Sequence, residues 1–106
     1  MAVGMAVALR LKKSERRVFS LIGDGECNEG SIWEAILLAG NRQLANLTCI
    51  AMNNHSSSLE LGDLAAKCAA FGWAATTING RDYAHIYEAL SRRDDTRPVA
   101  VVAEIE

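Results

Sequence analysis

The 106-residue chain has a single proline, no low-complexity tract and no internal repeat, so nothing marks a linker or divides it. Its cysteines are few and odd in number: Cys27, Cys49 and Cys68 are widely spaced and form no CxxC pair. That pattern excludes a disulfide framework or a zinc site, and predicts reduced thiols in a cytoplasmic setting, with Cys49 in the core. No apolar run approaches the roughly 20 residues needed to span a bilayer. Met1–Leu11 is apolar, but Arg10, Lys12 and Lys13 follow it, whereas a signal peptide carries its charge first. A formal charge of −2 removes the electrostatic basis for nucleic acid or an anionic membrane as the main partner.

What remains is half apolar and 23% charged, ordinary for one small globular domain. Short β-like runs alternate with helical stretches. Met1–Lys13 reads as a helix that starts without a capping residue. Arg17–Ile22 reads as a buried strand ended by Gly23-Asp24-Gly25. Ser31-Ile32-Trp33-Glu34 has capping-box spacing and predicts a helix from there to about Gln43. Leu47–Met52 is a second strand, closed by Asn53-Asn54 and a serine-rich turn. Asp63–Phe71 is a short helix stopped by Gly72. A third strand covers Ala74–Ile78, a helix capped by Asp82 runs to Arg93, and a fourth strand covers Pro98–Ile105. Strands separated by helices require crossover connections. The predicted fold class is therefore α/β, an open, mostly parallel four-stranded sheet with helices on both faces. Continuous apolar runs, rather than alternation, fit strands buried on both sides.

Ligands of such sheets bind beyond the carboxyl ends of the strands. Gly23-Asp24-Gly25 and Asn53-Asn54 occupy two successive strand ends. If the strands are neighbours, the motifs share one crevice. Glycines around Asp24 allow an anion close to the backbone, and the next helix start offers N–H groups. Asp24 supplies a carboxylate oxygen and Asn54 an amide oxygen. With a backbone carbonyl, phosphate oxygens and water, these types suit an octahedral Mg²⁺. Taken singly, GDG also describes a plain turn and NN a loop with asparagine in the left-handed region.

The run Gly23-Asp24-Gly25-Glu26-Cys27-Asn28-Glu29-Gly30-Ser31-Ile32-Trp33-Glu34-Ala35 resembles the transketolase signature GDGExxEGxxWEA. Leu38-Ala39-Gly40, Leu44-Ala45-Asn46-Leu47, Ala70-Phe71-Gly72-Trp73, Asn79-Gly80-Arg81-Asp82 and Arg97-Pro98-Val99 are similar to the LAG, LxNL, AFGW, DGHD and KPT segments of that family. Ala2–Ala6 resembles the helix after the family's glycine-rich GQGLS loop, so the likeness covers nearly the whole chain. It implies one partial thiamine diphosphate-binding domain over residues 1–106. It further implies Mg²⁺ held by the Asp24 and Asn54 side chains and the Ser56 carbonyl, and diphosphate contacts from Gly25, with Gly23 and Glu26 bordering the cofactor. Glu29 matches an acidic residue of the family's dimer interface that relays between active sites. Its alternative role is a carboxylate favoured by the start of a helix. Trp33 is expected in packing, and His55 and His85 in solvated positions, with phosphate contact the weaker alternative for His55. Nothing supports Cys27 as a nucleophile.

Three departures stand out. Asn53 replaces the acidic residue that usually precedes the metal-binding asparagine. The loop from His55 to Gly62 is shorter than the family's. The chain also starts after the glycine-rich loop and stops before the TxKGxG segment. The resemblance implies that the cofactor sits between this domain and a pyrimidine-binding domain from the other subunit. The chain is thus expected to be a fragment or a split-enzyme subunit, inactive alone, forming a homodimer or joining a partner chain that carries that domain. Apolar surface on a sheet edge or outer helix is expected with it. Two other readings stay open. One is a degenerate, non-catalytic α/β interaction module. The other is a fragment of the first component of a 2-oxo acid dehydrogenase, whose GDGxxNxG and NN look similar.

Overall fold

A computed structural model describes residues 1–55, 57 and 59–105. Four strands form one parallel sheet: β1 (Val18–Gly23), β2 (Leu47–Asn53), β3 (Ala74–Asn79) and β4 (Val99–Glu104), ordered β1-β2-β4-β3. The fold class expected from the apolar runs is the one observed. The strand that comes last in the chain lies inside the sheet, and its residues Val99 to Ala103 are all buried.

Four α-helices flank the sheet: α1 (Ala2–Leu11), α2 (Gly30–Asn41), α3 (Leu64–Ala70) and α4 (Tyr83–Ser91). Helices α1, α2 and α3 cover one face, packing Ala6, Ile36, Ala39 and Leu64 over Val18, Leu47, Ala51, Ala100 and Val102. Helix α4 covers the other face at the β3–β4 end, with Ile86 and Ala89 against Ile78, Val99, Val101 and Ala103. The β1 end of that second face is bare, and Phe19 and Leu21 are half-exposed or more. This is the apolar edge surface expected from the sequence. Among the described residues no helix is long and apolar enough to cross a membrane.

The helix ends show how local sequence sets the path. Asp63 Oδ1 accepts the Ala66 N–H, and Asp82 Oδ1 accepts those of Ala84 and His85. These are the N-terminal caps their positions imply. Gly72, at φ 94°, ends α3 as anticipated. Its N–H reaches Ala69 O and the Trp73 N–H reaches Cys68 O, the paired bonds of a left-handed helix stop. Gly40 is required for another reason: a Cβ there would lie 1.9 Å from the carbonyl oxygen of Phe71.

The capping box at Ser31 and Glu34 does not form. Helix α2 begins at Gly30 behind Glu29, with no side-chain cap. The reason is a 3-10 turn over Asp24–Asn28 that delivers the chain into α2 one residue earlier. The reciprocal contact occurs instead at the start of that turn, where Glu26 Oε1 accepts the Gly23 N–H at 3.1 Å.

Arg17 joins the two halves of the second face. Its guanidinium donates to Thr48 Oγ1 at 3.0 Å and to Arg92 O at 2.9 Å, with a third bond to Leu90 O at 3.3 Å. It thereby satisfies carbonyls at the end of α4 and stacks 4.8 Å over the Phe19 ring. Burial, aided by the charge of Arg93, lowers its pKa.

Candidate functional site

The parallel register of β1 and β2 pairs Gly23 with Met52. Asp24 therefore leaves its strand level with Asn53, and Asn54 follows at once. The two motifs sit at adjacent strand ends, as a shared crevice requires.

Asp24 is only 3% exposed. Its Oδ2 accepts the backbone N–H of Ser57 at 2.9 Å, and Asn28 Nδ2 donates to Ser57 Oγ at 2.8 Å. Ser57 is thus tied to both Asp24 and Asn28 of the 3-10 turn. Beneath them Cys27, Ala51, Leu64 and Val102 form an apolar floor. A cleft of about 280 Å³ opens beside Asp24, bounded by Asn53, His55, Ser57 and the segment from Leu59 to Gly62. A larger cleft, about 740 Å³, involves Arg10, Lys13, Asn46 and Arg93 to Thr96 at the opposite, amino end of the sheet. Strand-end chemistry of this fold does not use that end.

The glycines sort by what the chain itself demands. Gly62 and Gly72 have positive φ, and Gly40 and Gly80 would clash if given a Cβ. Gly25 and Gly30 have neither reason: nothing lies within 4 Å of a Cβ there, and Gly23 has only Glu26 Oε1 at 3.9 Å. Glycine costs about 0.5–1 kcal/mol against alanine in a helical turn. A cluster of internally unnecessary glycines around Asp24 leaves backbone open to a group the chain does not itself supply.

Of the other sequence-predicted site residues, Glu26 is exposed within the 3-10 turn and Glu29 just after it, and Asn54 is exposed beside Asn53, outside the residues that line the cleft. Ser56 lies outside the described residues. Trp33 packs as expected: its Nε1 donates to Cys27 O at 2.7 Å and its ring tilts against Phe71. Burial, then the charges of Asp24 and Glu26, raise the Cys27 pKa, which opposes thiolate formation. His85 is exposed on α4, in the surface position expected of it.

His55 stands in the solvated loop position expected of it, but its pairing with Glu104 was not legible in the sequence. His55 is exposed, yet its Nε2 lies 3.0 Å from Glu104 Oε1, and it, rather than an asparagine, holds the left-handed conformation, φ 59°. Glu104 was not singled out at all. The register that levels it with Asn53 is its only signal, and register depends on the strand order. Among the described residues no three His, Cys, Asp or Glu side chains gather as a metal cage. Magnesium needs no such cage, since one or two protein oxygens with phosphate and water complete its shell.

The family model described as 1-deoxy-D-xylulose-5-phosphate synthase matches residues 1–93. "Ferredoxin fas2" of Rhodococcoides fascians is 41% identical over 107 residues, covering 99% of this chain and 35% of that protein. The 6-deoxy-6-sulfo-D-fructose transketolase subunit SqwG of a Clostridium species is 34% identical over 98 residues, covering 86% of this chain and 36% of that one. The crystal structure of transketolase from Campylobacter jejuni superposes with a TM-score of 0.89 at 29% identity, covering 97% of this chain and 18% of that one. The chain thus spans about a third or less of the length of these relatives. The matched region carries three cysteines, short of the four thiolates of an ordinary iron–sulfur cluster.

Proposed function

This chain belongs to the family described as 1-deoxy-D-xylulose-5-phosphate synthase, as an N-terminal transketolase-type thiamine diphosphate-binding domain, and from that premise we propose that it grips the magnesium–diphosphate end of thiamine diphosphate. The Asp24 and Asn54 side chains and the Ser56 carbonyl serve as metal donors. The Gly25 N–H meets the diphosphate, and Gly23 and Glu26 shape the loop around it. The observation that carries this reading is the buried Asp24 carboxylate, set level with the Asn53-Asn54 turn and ringed by glycines the fold does not need. An apolar floor under hard oxygen donors strengthens their hold on a cation by lowering the local dielectric.

When bound, thiamine diphosphate supplies the carbanion chemistry of two-carbon ketol transfer. The residues of this chain orient its charged end and leave the reacting end to a pyrimidine-binding domain. That domain comes from a partner chain or a second subunit, with Glu29 relaying across the interface. The name of the Clostridium relative, a transketolase subunit, supports a divided enzyme. Isolated, the domain is a cytoplasmic binding module without transferase activity.

Calorimetric titration with thiamine diphosphate and Mg²⁺ tests the reading. Binding by the native chain and its loss in Asp24→Asn is the expected result. No heat from either protein up to about millimolar cofactor, a free energy near 4 kcal/mol, would overturn it. A second reading, an interaction module without cofactor, draws on the Ser57 N–H already seated on Asp24. It predicts that second outcome.

A further inference from the structure

Glu104 closes β4 and pairs in register with Asn53 on β2. Its carboxylate uses both oxygens on the turn after β2. Oε2 accepts the Asn53 amide N–H at 2.9 Å, and Oε1 meets His55 Nε2 at 3.0 Å. Asn53 Oδ1 in turn accepts the backbone N–H of His55 at 3.2 Å, and Asn53 O accepts that of Ile105 at 3.1 Å. Asn54 lies between the two residues that these contacts anchor. His55 is held at φ 59°, in the left-handed region that is uncommon for non-glycine residues and is shared here by Lys13 and Gln43.

From these contacts we infer that Glu104 is a positioning residue: it fixes the Asn53–His55 turn so that Asn54 is presented beside Asp24. The inference rests on the magnesium–diphosphate reading for its purpose, but the fixing of the turn does not. It also accounts for the asparagine at position 53. An aspartate there would set a second carboxylate against Glu104, whereas the asparagine amide donates to it. Asn53 and Glu104 are a matched pair, one from each of two adjacent strands. Such a pair holds the turn by direction as well as by charge.

The test compares native protein with Glu104→Ala, His55→Ala, Asn53→Asp and the double variant Asn53→Asp/Glu104→Gln. Amide hydrogen exchange at His55 and Ser57 is measured without cofactor, and affinity for thiamine diphosphate with Mg²⁺ by calorimetry. Glu104→Ala is expected to speed exchange at the His55 amide about tenfold and weaken cofactor binding by a similar factor, as both carboxylate contacts to the turn are lost. Its melting temperature should stay near native, because Glu104 is 38% exposed. His55→Ala should show the same change in smaller measure. Asn53→Asp should resemble Glu104→Ala. The double variant should recover both readouts, since glutamine then donates to aspartate at unchanged net charge. Unchanged exchange in Glu104→Ala and His55→Ala, or no recovery in the double variant, overturns the inference. If the native chain takes no cofactor, the functional reading falls, while the exchange rates still decide what Glu104 does.

Discussion

Asp24 and Ser57, 33 positions apart, are joined by a 2.9 Å hydrogen bond from a backbone N–H to a buried carboxylate. The bond ties the turn after β1 to the turn after β2, so the two loops of the candidate site behave as one unit. Truncating the acceptor should therefore be felt at both. Asp24→Ala is expected to lower stability by about 2 kcal/mol, within the range for hydrogen bonds to charged groups. Urea unfolding gives the magnitude. Faster amide exchange at Ser57 than at the core amides of β4 would locate the loss.

The glycines offer a sharper contrast. Gly25→Ala meets no atom within 4 Å and has no left-handed φ, so stability should be unchanged or rise by about 0.5 kcal/mol. Cofactor affinity, under the proposed reading, should fall at least about tenfold as the methyl fills space meant for phosphate. Gly40→Ala should do the reverse kind of damage. Its Cβ would meet the Phe71 carbonyl oxygen, a backbone atom that cannot step aside, and stability should drop by about 3 kcal/mol. Denaturation of both variants beside one titration of Gly25→Ala checks the pair.

Arg17 gives a third expectation. Its guanidinium bonds Leu90 O and Arg92 O near the end of α4 and Thr48 on β2, and only a planar fork reaches all three. Arg17→Ala should cost about 2 kcal/mol, and Arg17→Lys should recover less than half of that. Equal stability of the alanine variant and native protein would show that the fork contributes nothing net.

The thiols predict an alkaline limit. Burial, followed by the charges of neighbouring cysteines, raises the Cys49 pKa to about 12 and that of Cys68 to about 11, from an ordinary 9.0. In the unfolded chain both groups lose their protons near the ordinary value, while the folded protein keeps them. The unfolded state then binds fewer protons, so stability is complete below about pH 9 and falls as pH rises toward about 12. Urea midpoints at about pH 8 and about pH 10.5 should differ in that direction, and Cys49→Ala should flatten the slope.

How far the sequence reached is visible element by element. The strand expected at Arg17–Ile22 is observed at Val18–Gly23, and Leu47–Met52 extends by one residue to Asn53. Apolar runs of this kind announce parallel strands. Strand β1, expected to be buried, is nevertheless covered on its helix-packed face only, because no helix lies over Phe19 and Leu21. Asp63, Gly72 and Asp82 announce helix ends, because each acts through its own neighbours in the chain. The candidate site was legible where it is carried by local motifs, the GDG turn and the NN turn. It was not legible where it depends on strand order. Whether Glu104 would meet Asn53 or lie two strands away is decided by which strand β4 chooses to pair, and no local pattern states that. The capping box failed for a related reason. Ser31 and Glu34 have the right spacing, but the 3-10 turn before them had already started the helix.

The placement of β4 has a consequence for assembly of the sheet. Last of the four strands in the chain, it is, among the described residues, the one strand that pairs with both β2 and β3. Until Val99–Glu104 slots in, β3 shares no ladder with β1 and β2, and the Asn53 amide and His55 ring lack their carboxylate partner. Closure of the sheet and completion of the contacts around Asn54 depend on the same strand, so a clipped molecule lacking that keystone would lose the ladder and the restraint on the turn together.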